Sequence, residues 1–222
     1  MLNPIARQKI KLASRLCLFI GLWMTYSVTK ADETSAEIIN VSAYQSFQQG
    51  NYQKSYLLAK QAKQLAIEES NPQELARALS NIANNILYFG DTENALPLYL
   101  ESLSVAKKNE DLEGVERAIN NISAFYVHIG NSHEAVSYLQ KLPVINGIKR
   151  PILSQLRTYQ ALAGRYAEIG ELIQAKKAQL ESERLIVIAP NDFFNTYILQ
   201  NKAIILSAEK KHQEAIKKYK IS

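Results

Sequence analysis

The sequence predicts an all-α fold: a solenoid of antiparallel helix pairs stacked in chain order. Three observations carry this. A glycine returns every forty residues, at Gly50, Gly90, Gly130 and Gly170. With that glycine at place 15 of a unit, places 8 and 20 hold only Ala or Ser. Between these landmarks apolar residues recur with the spacing of one helix face. A fixed period of this size marks an architecture in which each unit covers the apolar face of its neighbour.

The units start at Ala36, Ala76, Glu116, Leu156 and Thr196, giving 36–75, 76–115, 116–155, 156–195 and an incomplete 196–222. Place 8 reads Ala43, Ala83, Ser123, Ala163, Ala203, and place 20 reads Ser55, Ala95, Ala135, Ala175, Ala215. The first helix of unit 2 carries Leu79, Ile82, Ala83 and Ile86 on one face. Unit 3 repeats it with Ile119, Ile122, Ser123 and Tyr126, and unit 4 with Tyr159, Leu162, Ala163 and Tyr166. After the glycine a second helix begins, as with Ala95, Tyr99 and Leu103. Glycine closes the first helix in the left-handed conformation. The small residues let the two axes approach to about 8–10 Å.

Turns between units are signalled by Asn71-Pro72, Asn109-Glu110-Asp111, Lys149-Arg150-Pro151 and Pro190-Asn191-Asp192. Pro97 is expected to delay or kink a second helix, and Pro143 to end another near Leu142. That leaves VINGIKR, 144–150, irregular and makes unit 3 the place for a bend. In unit 5 Lys202 and Lys210 break the pattern. Its second helix is expected to begin near His212. Its end pairs with another chain, belongs to a longer one, or frays.

Residues 1–31 contain Arg7, Lys9, Lys11, Arg15 and Lys30 and no acidic residue, so the other 21 basic residues are matched by all 21 acidic ones. A neutral body has no bulk field for a phosphate backbone, which argues against nucleic acid as partner. Residues 1–31 have the form of a signal peptide: a basic start, the apolar run LCLFIGLWMTYSV (16–28), then Thr29-Lys30-Ala31, with cleavage expected after Ala31. The run is short for a membrane span of about 20 residues. An uncleaved signal anchor is the alternative. Localisation is thus expected to be exported and periplasmic, with membrane contact only through an uncleaved signal or a longer chain. Cys17 lies in the leader, so the body of 32–222 has no thiol for a disulfide, a metal or a nucleophile.

The repeat pattern resembles the tetratricopeptide repeat (TPR) over about residues 36–222. Its forty-residue units are similar to the long-unit branch seen in kinesin light chains and the maltose regulator. The resemblance implies a right-handed superhelix whose first helices line a concave groove. Places 2, 6, 9 and 13 would face it: Arg77, Arg117 and Arg157; Asn81, Asn121 and Asn201; Asn84; Tyr88 and His128. Carboxamides donate and accept at once, and related long-unit proteins grip extended peptides with an asparagine ladder. Guanidinium forks suit the carboxylates of an acidic peptide or a chain terminus. The asparagines could instead bond to the next helix of the array. Ala161 and Tyr197 interrupt the rows, so the groove is expected to run over units 2–4.

Nothing in the sequence points to catalysis. His128, His133 and His212 lack a metal-ligand spacing, and no phosphate loop or serine elbow occurs. No cofactor is expected. The leading expectation is an exported, non-catalytic scaffold that binds a peptide or protein segment. The alternative is the sensory input region of a larger transmembrane signalling protein, such as a diguanylate cyclase or histidine kinase.

Overall fold

The computed structural model describes residues 35–142 and 150–219. Among the described residues stand nine helices and no strand: α1 (Ala36–Gln48), α2 (Tyr52–Glu68), α3 (Pro72–Tyr88), α4 (Thr92–Lys108), α5 (Leu112–His128), α6 (Ser132–Leu139), α7 (Ile152–Glu168), α8 (Leu172–Ile188) and α9 (Asp192–Tyr219). Residues 1–34, on which the signal-peptide expectation falls, Pro143 and all of VINGIKR but Arg150 lie outside the described residues.

Each helix boundary has a local cause. The four repeat glycines adopt φ between 77° and 87°, the left-handed conformation expected of them. The chain then closes back on the helix it leaves: the amide of Asp91 donates to Ile86 O, 3.1 Å, and that of Asn131 to Tyr126 O, 2.8 Å. Starts are set by side-chain caps. Asn71, Asp91, Asp111, Asn131 and Asn191 each accept from the amide three residues on. The turns between the first three units have no glycine, and there Ser70 and Glu110 take the left-handed conformation at φ 52° and 54°. First helices begin at Pro72, Leu112, Ile152 and Asp192, four residues ahead of the unit starts read from the sequence and right at the predicted turn signals.

Consecutive helices pack on one another, and first helices also touch across joints, α1 on α3, α3 on α5 and α7 on α9. Ala43, Ala83, Ala95, Ala135, Ala163 and Ala175 have no exposed surface, as close approach of each pair requires. One apolar cluster runs from unit 2 into the start of unit 5, from Ala83 and Tyr99 through Ile119 and Phe125 to Leu162 and Ile205. Tyr99 is almost wholly buried in it. Its hydroxyl donates to Asn84 Oδ1 at 2.6 Å, and burial pushes the phenol far above its usual range.

Three expectations need correction. Helix α4 starts on time at Thr92 and runs through Pro97 to Lys108. Pro97 is early enough in the helix that only the first-turn carbonyl of Glu93 loses a partner. Helix α6 ends at Leu139, ahead of the expected Leu142, and has 8 residues where α3, α4 and α5 have 17. The largest difference is in unit 5. With Lys210 where the glycine should be, no turn forms, and α9 is one continuous helix of 28 residues. Ala203, whose counterparts at place 8 are buried, is exposed.

The shortened α6 gives α7 little to rest on, and a buried ion pair reinforces the joint of units 3 and 4. Arg150 Nη2 lies 2.9 Å from Glu116 Oε1, with side chains 7% and 11% exposed. The same nitrogen donates to Thr158 Oγ1, 2.9 Å, and to Ser154 O, 3.1 Å. Among the described residues the buried Arg150 Nε meets no hydrogen-bond acceptor.

Two stability outcomes follow from this packing. Ala95→Leu overfills the α3–α4 contact and lowers the unfolding free energy by about 1–3 kcal/mol in urea titration. Arg150→Ala strands the Glu116 carboxylate and costs about 3–5 kcal/mol, whereas the double variant Arg150→Met/Glu116→Leu recovers most of that loss.

Candidate peptide-binding groove

Because α1, α3, α5 and α7 are the first members of successive pairs, their like-numbered places come to one face. They enclose an open groove of about 450 Å³. Of the nine residues singled out in the sequence, six line it: Arg77, Asn81, Asn84, Arg117, Asn121 and Arg157. Tyr44 and Val41 of α1 and Glu113 and Asn120 of α5 complete much of the wall. A second cavity of about 360 Å³ continues toward α9, lined by Arg157, Arg165, Phe193, Tyr197 and Asn201. Arg157 borders both.

The arginine row is uneven in charge. Arg77 Nη1 lies 3.1 Å from Glu74 Oε1, and Arg117 Nη1 lies 3.2 Å from Glu113 Oε1. Glu74 is itself buried and accepts from Asn40 Nδ2 at 2.8 Å. Arg157 is exposed and has no ion-pair or hydrogen-bond partner among the described residues. The net positive charge of this face is therefore centred at Arg157.

The asparagines divide in the same way. Asn81 is 7% exposed, and its Nδ2 donates to Asn40 Oδ1, 3.1 Å, and to Asn40 O, 3.3 Å. Asn40 in turn donates to Glu74 O at 2.9 Å. The same device recurs at the other end of the array. Asn201 Nδ2 donates to Gln160 O, 2.8 Å, and Gln160 Nε2 to Phe194 O, 2.9 Å. These are clasps between the first helices of consecutive units. The amide groups of Asn81 and Asn201 are spent inside the array, which is the alternative the sequence left open for them. Asn84 is partly spent on Tyr99. Asn120 and Asn121, half-buried at the middle of the groove, have no side-chain hydrogen bond among the described residues.

Tyr88 and His128 line neither cavity. Tyr88 stacks on Tyr52 with centroids 3.4 Å apart and 22° between planes, beside Phe47 and Phe89 at the turn edge. His128 is exposed at the end of α5. The clasp residues Asn40 and Gln160 and the wall residue Asn120 were missed. Their signal was a second carboxamide row at place 5, Asn40, Asn120, Gln160 and Gln200, one residue ahead of the row that drew attention.

No family model matches the sequence. Among solved structures, aspartyl phosphate phosphatase F from Bacillus subtilis superposes with a TM-score of 0.71 at 18% identity, over 83% of this chain and 48% of that one. A kinesin light chain-like protein from Podosopora anserina, made of nearly identical TPR-like repeats, superposes at 0.62 with 16% identity, over 82% and 90% of the two chains. This chain folds as a TPR array. The apo form of RapI is also similar, with a TM-score of 0.57 and 18% identity over 82% of this chain and 74% of that one. In sequence, outer dynein arm-docking complex subunit 4 from Xenopus laevis is 28% identical over 137 residues, 60% of this chain. The chain spans about a quarter of the length of that curated relative and about half of the B. subtilis protein.

The clasp at Gln160 has a measurable weight in this TPR array. Gln160→Ala leaves the buried carbonyl of Phe194 without its donor, and is expected to lower stability by about 1–3 kcal/mol in chemical denaturation.

Proposed function

We propose that this TPR array is an exported, non-catalytic scaffold that holds an extended peptide or protein segment in the groove of its first helices. The fold supports a protein-interaction role, since TPR-like arrays supply a continuous inner face rather than a reaction centre. The observation that carries the reading is the uncompensated guanidinium of Arg157 beside the unspent carboxamides of Asn120 and Asn121. Carboxamides bond to a peptide backbone whatever its side chains, and an unpaired guanidinium selects a carboxylate. The partner is accordingly an acidic segment. Arg77 and Arg117, already neutralised by Glu74 and Glu113, contribute shape and backbone contacts more than charge. Export rests on the basic start and apolar run of residues 1–31.

Titration of the array with fluorescent extended acidic peptides tests this. Arg157→Ala is expected to weaken binding by about tenfold, or about 1.4 kcal/mol, and the loss shrinks as salt is raised. Arg117→Ala/Asn121→Ala weakens it further. Binding that is indifferent to Arg157, Arg117 and Asn121 places the partner on another face.

A further inference from the structure

We propose that two copies of this chain associate through the exposed face of α9, laid antiparallel about a two-fold axis. The proposal is independent of the groove reading. It starts from what α9 leaves bare. In units 2–4 the face formed by places 4, 8 and 11 of the first helix lies under that unit's own second helix. Leu79, Ile119, Ala83 and Ala163 on it are fully or almost fully buried. In α9 the same places are Leu199, Ala203 and Leu206. Leu199 is 67% exposed, Leu206 is 59% exposed, and Ala203 is exposed with them. At about 100° per residue the three fall within an arc of about 60°. An apolar face shaped for one helix is uncovered.

The two ends of that face carry opposite charges. Asp192 stands seven residues before Leu199 and Lys210 seven after Ala203, so both lie on the same arc of the helix. Both are exposed, and neither has an ion-pair partner among the described residues. These charges are peculiar to α9. At the position of Asp192 the three preceding first helices hold Ile152, Leu112 and Pro72, and at that of Lys210 the four other units hold glycine. The lysine that abolishes the turn also marks one end of the bare face. A helix that fits this face has a base where the face begins, an acid where it ends, and apolar residues between. The same face read in the opposite direction has that order. A second copy laid antiparallel is therefore complementary to the first.

Setting Asp192 of one copy opposite Lys210 of the other puts the axis near Asn201. In that register Leu199 of each copy lies opposite Ala203 of the other, a large side chain over a small one, and Leu206 lies within one turn of the other copy's Leu199. The alanine lets the two axes approach to about 8–10 Å. Each contact is made twice, as an isologous interface requires. The charge nearest the axis on the exposed side is Lys202, and Glu183 of its own chain holds it at 3.5 Å. Helix α7 stands clear, because it packs on the opposite side of α9, where Asn201 donates to Gln160 O and Gln160 to Phe194 O. A single helix pair is a small interface, so this dimer forms at micromolar concentrations and above.

Light scattering of the full chain under reducing conditions reads the mass. At low salt and about 100 μM the wild type is expected as two chains. Asp192→Lys and Lys210→Asp each turn both end attractions into repulsions, and each is expected to weaken association about tenfold. An equimolar mixture of these two variants is expected to associate as the wild type does, and so is the double variant Asp192→Lys/Lys210→Asp. Leu199→Asp/Leu206→Asp is expected to give single chains with helicity by circular dichroism unchanged, since both side chains are exposed within one chain. A wild-type mass of one chain at about 100 μM overturns the proposal. So does association that survives Leu199→Asp/Leu206→Asp, which places the contact on another face. Single charge swaps that leave association unchanged overturn the antiparallel register, because a parallel pair sets like charges together in the wild type.

Discussion

The close approach of two helices at a pair of alanine-sized residues is the constraint on which the rest of the structure depends. Where Ala83 meets Ala95 neither side chain retains exposed surface. That contact fixes how far apart the axes lie, and so which larger side chains fit between them. Tyr99 fits because Asn84 accepts its hydroxyl at the edge of the core. Leu79 and Ile119 fit because the small neighbours leave room. Once the pair is set, its outer surface presents the next first helix with a surface of fixed shape, and the array propagates one unit at a time. The groove is a consequence, being the face of the first helices that this packing leaves open.

Much of the fold was legible because its determinants are local. A left-handed glycine, a capping Asn or Asp and a small residue at a set place act within a few residues of themselves, so a single sequence displays them. The absence of the glycine at 210 was equally visible, yet the inference drawn from it was too weak. The pattern of Ala215 suggested a second helix, and pattern alone does not turn a chain. Lysine carries a side chain that disfavours the left-handed conformation, and the helix continues. Pro97 was overread for a related reason: in the first turns of a helix the missing amide removes little.

The candidate site was legible by position more than by state. Periodicity brought Arg77, Arg117 and Arg157 to one face, as the structure has them. It could not say that two of them are already ion-paired, because Glu74 and Glu113 lie in the first turn of each helix and read as ordinary solvated acids. Nor could it separate Asn81 and Asn201 from Asn121. All three share a place, but only the first two find a carbonyl across the joint, at Asn40 and Gln160. At the corresponding position before Asn121 stands Ser80, whose hydroxyl is engaged with Ser102 and is too short to clasp the next helix.

First helices that recur in contact also act as a ruler. Packed axes lie about 8–10 Å apart, and an extended peptide advances about 3.3 Å per residue. One step from helix to helix therefore matches about three residues of a strand laid across them. From α1 to α5 there are two such steps, so that part of the channel matches a stretch of roughly six residues. Side chains of such a strand would meet the array in threes. Its acidic position would be counted from the helix bearing Arg157, a reading frame fixed by helix diameter.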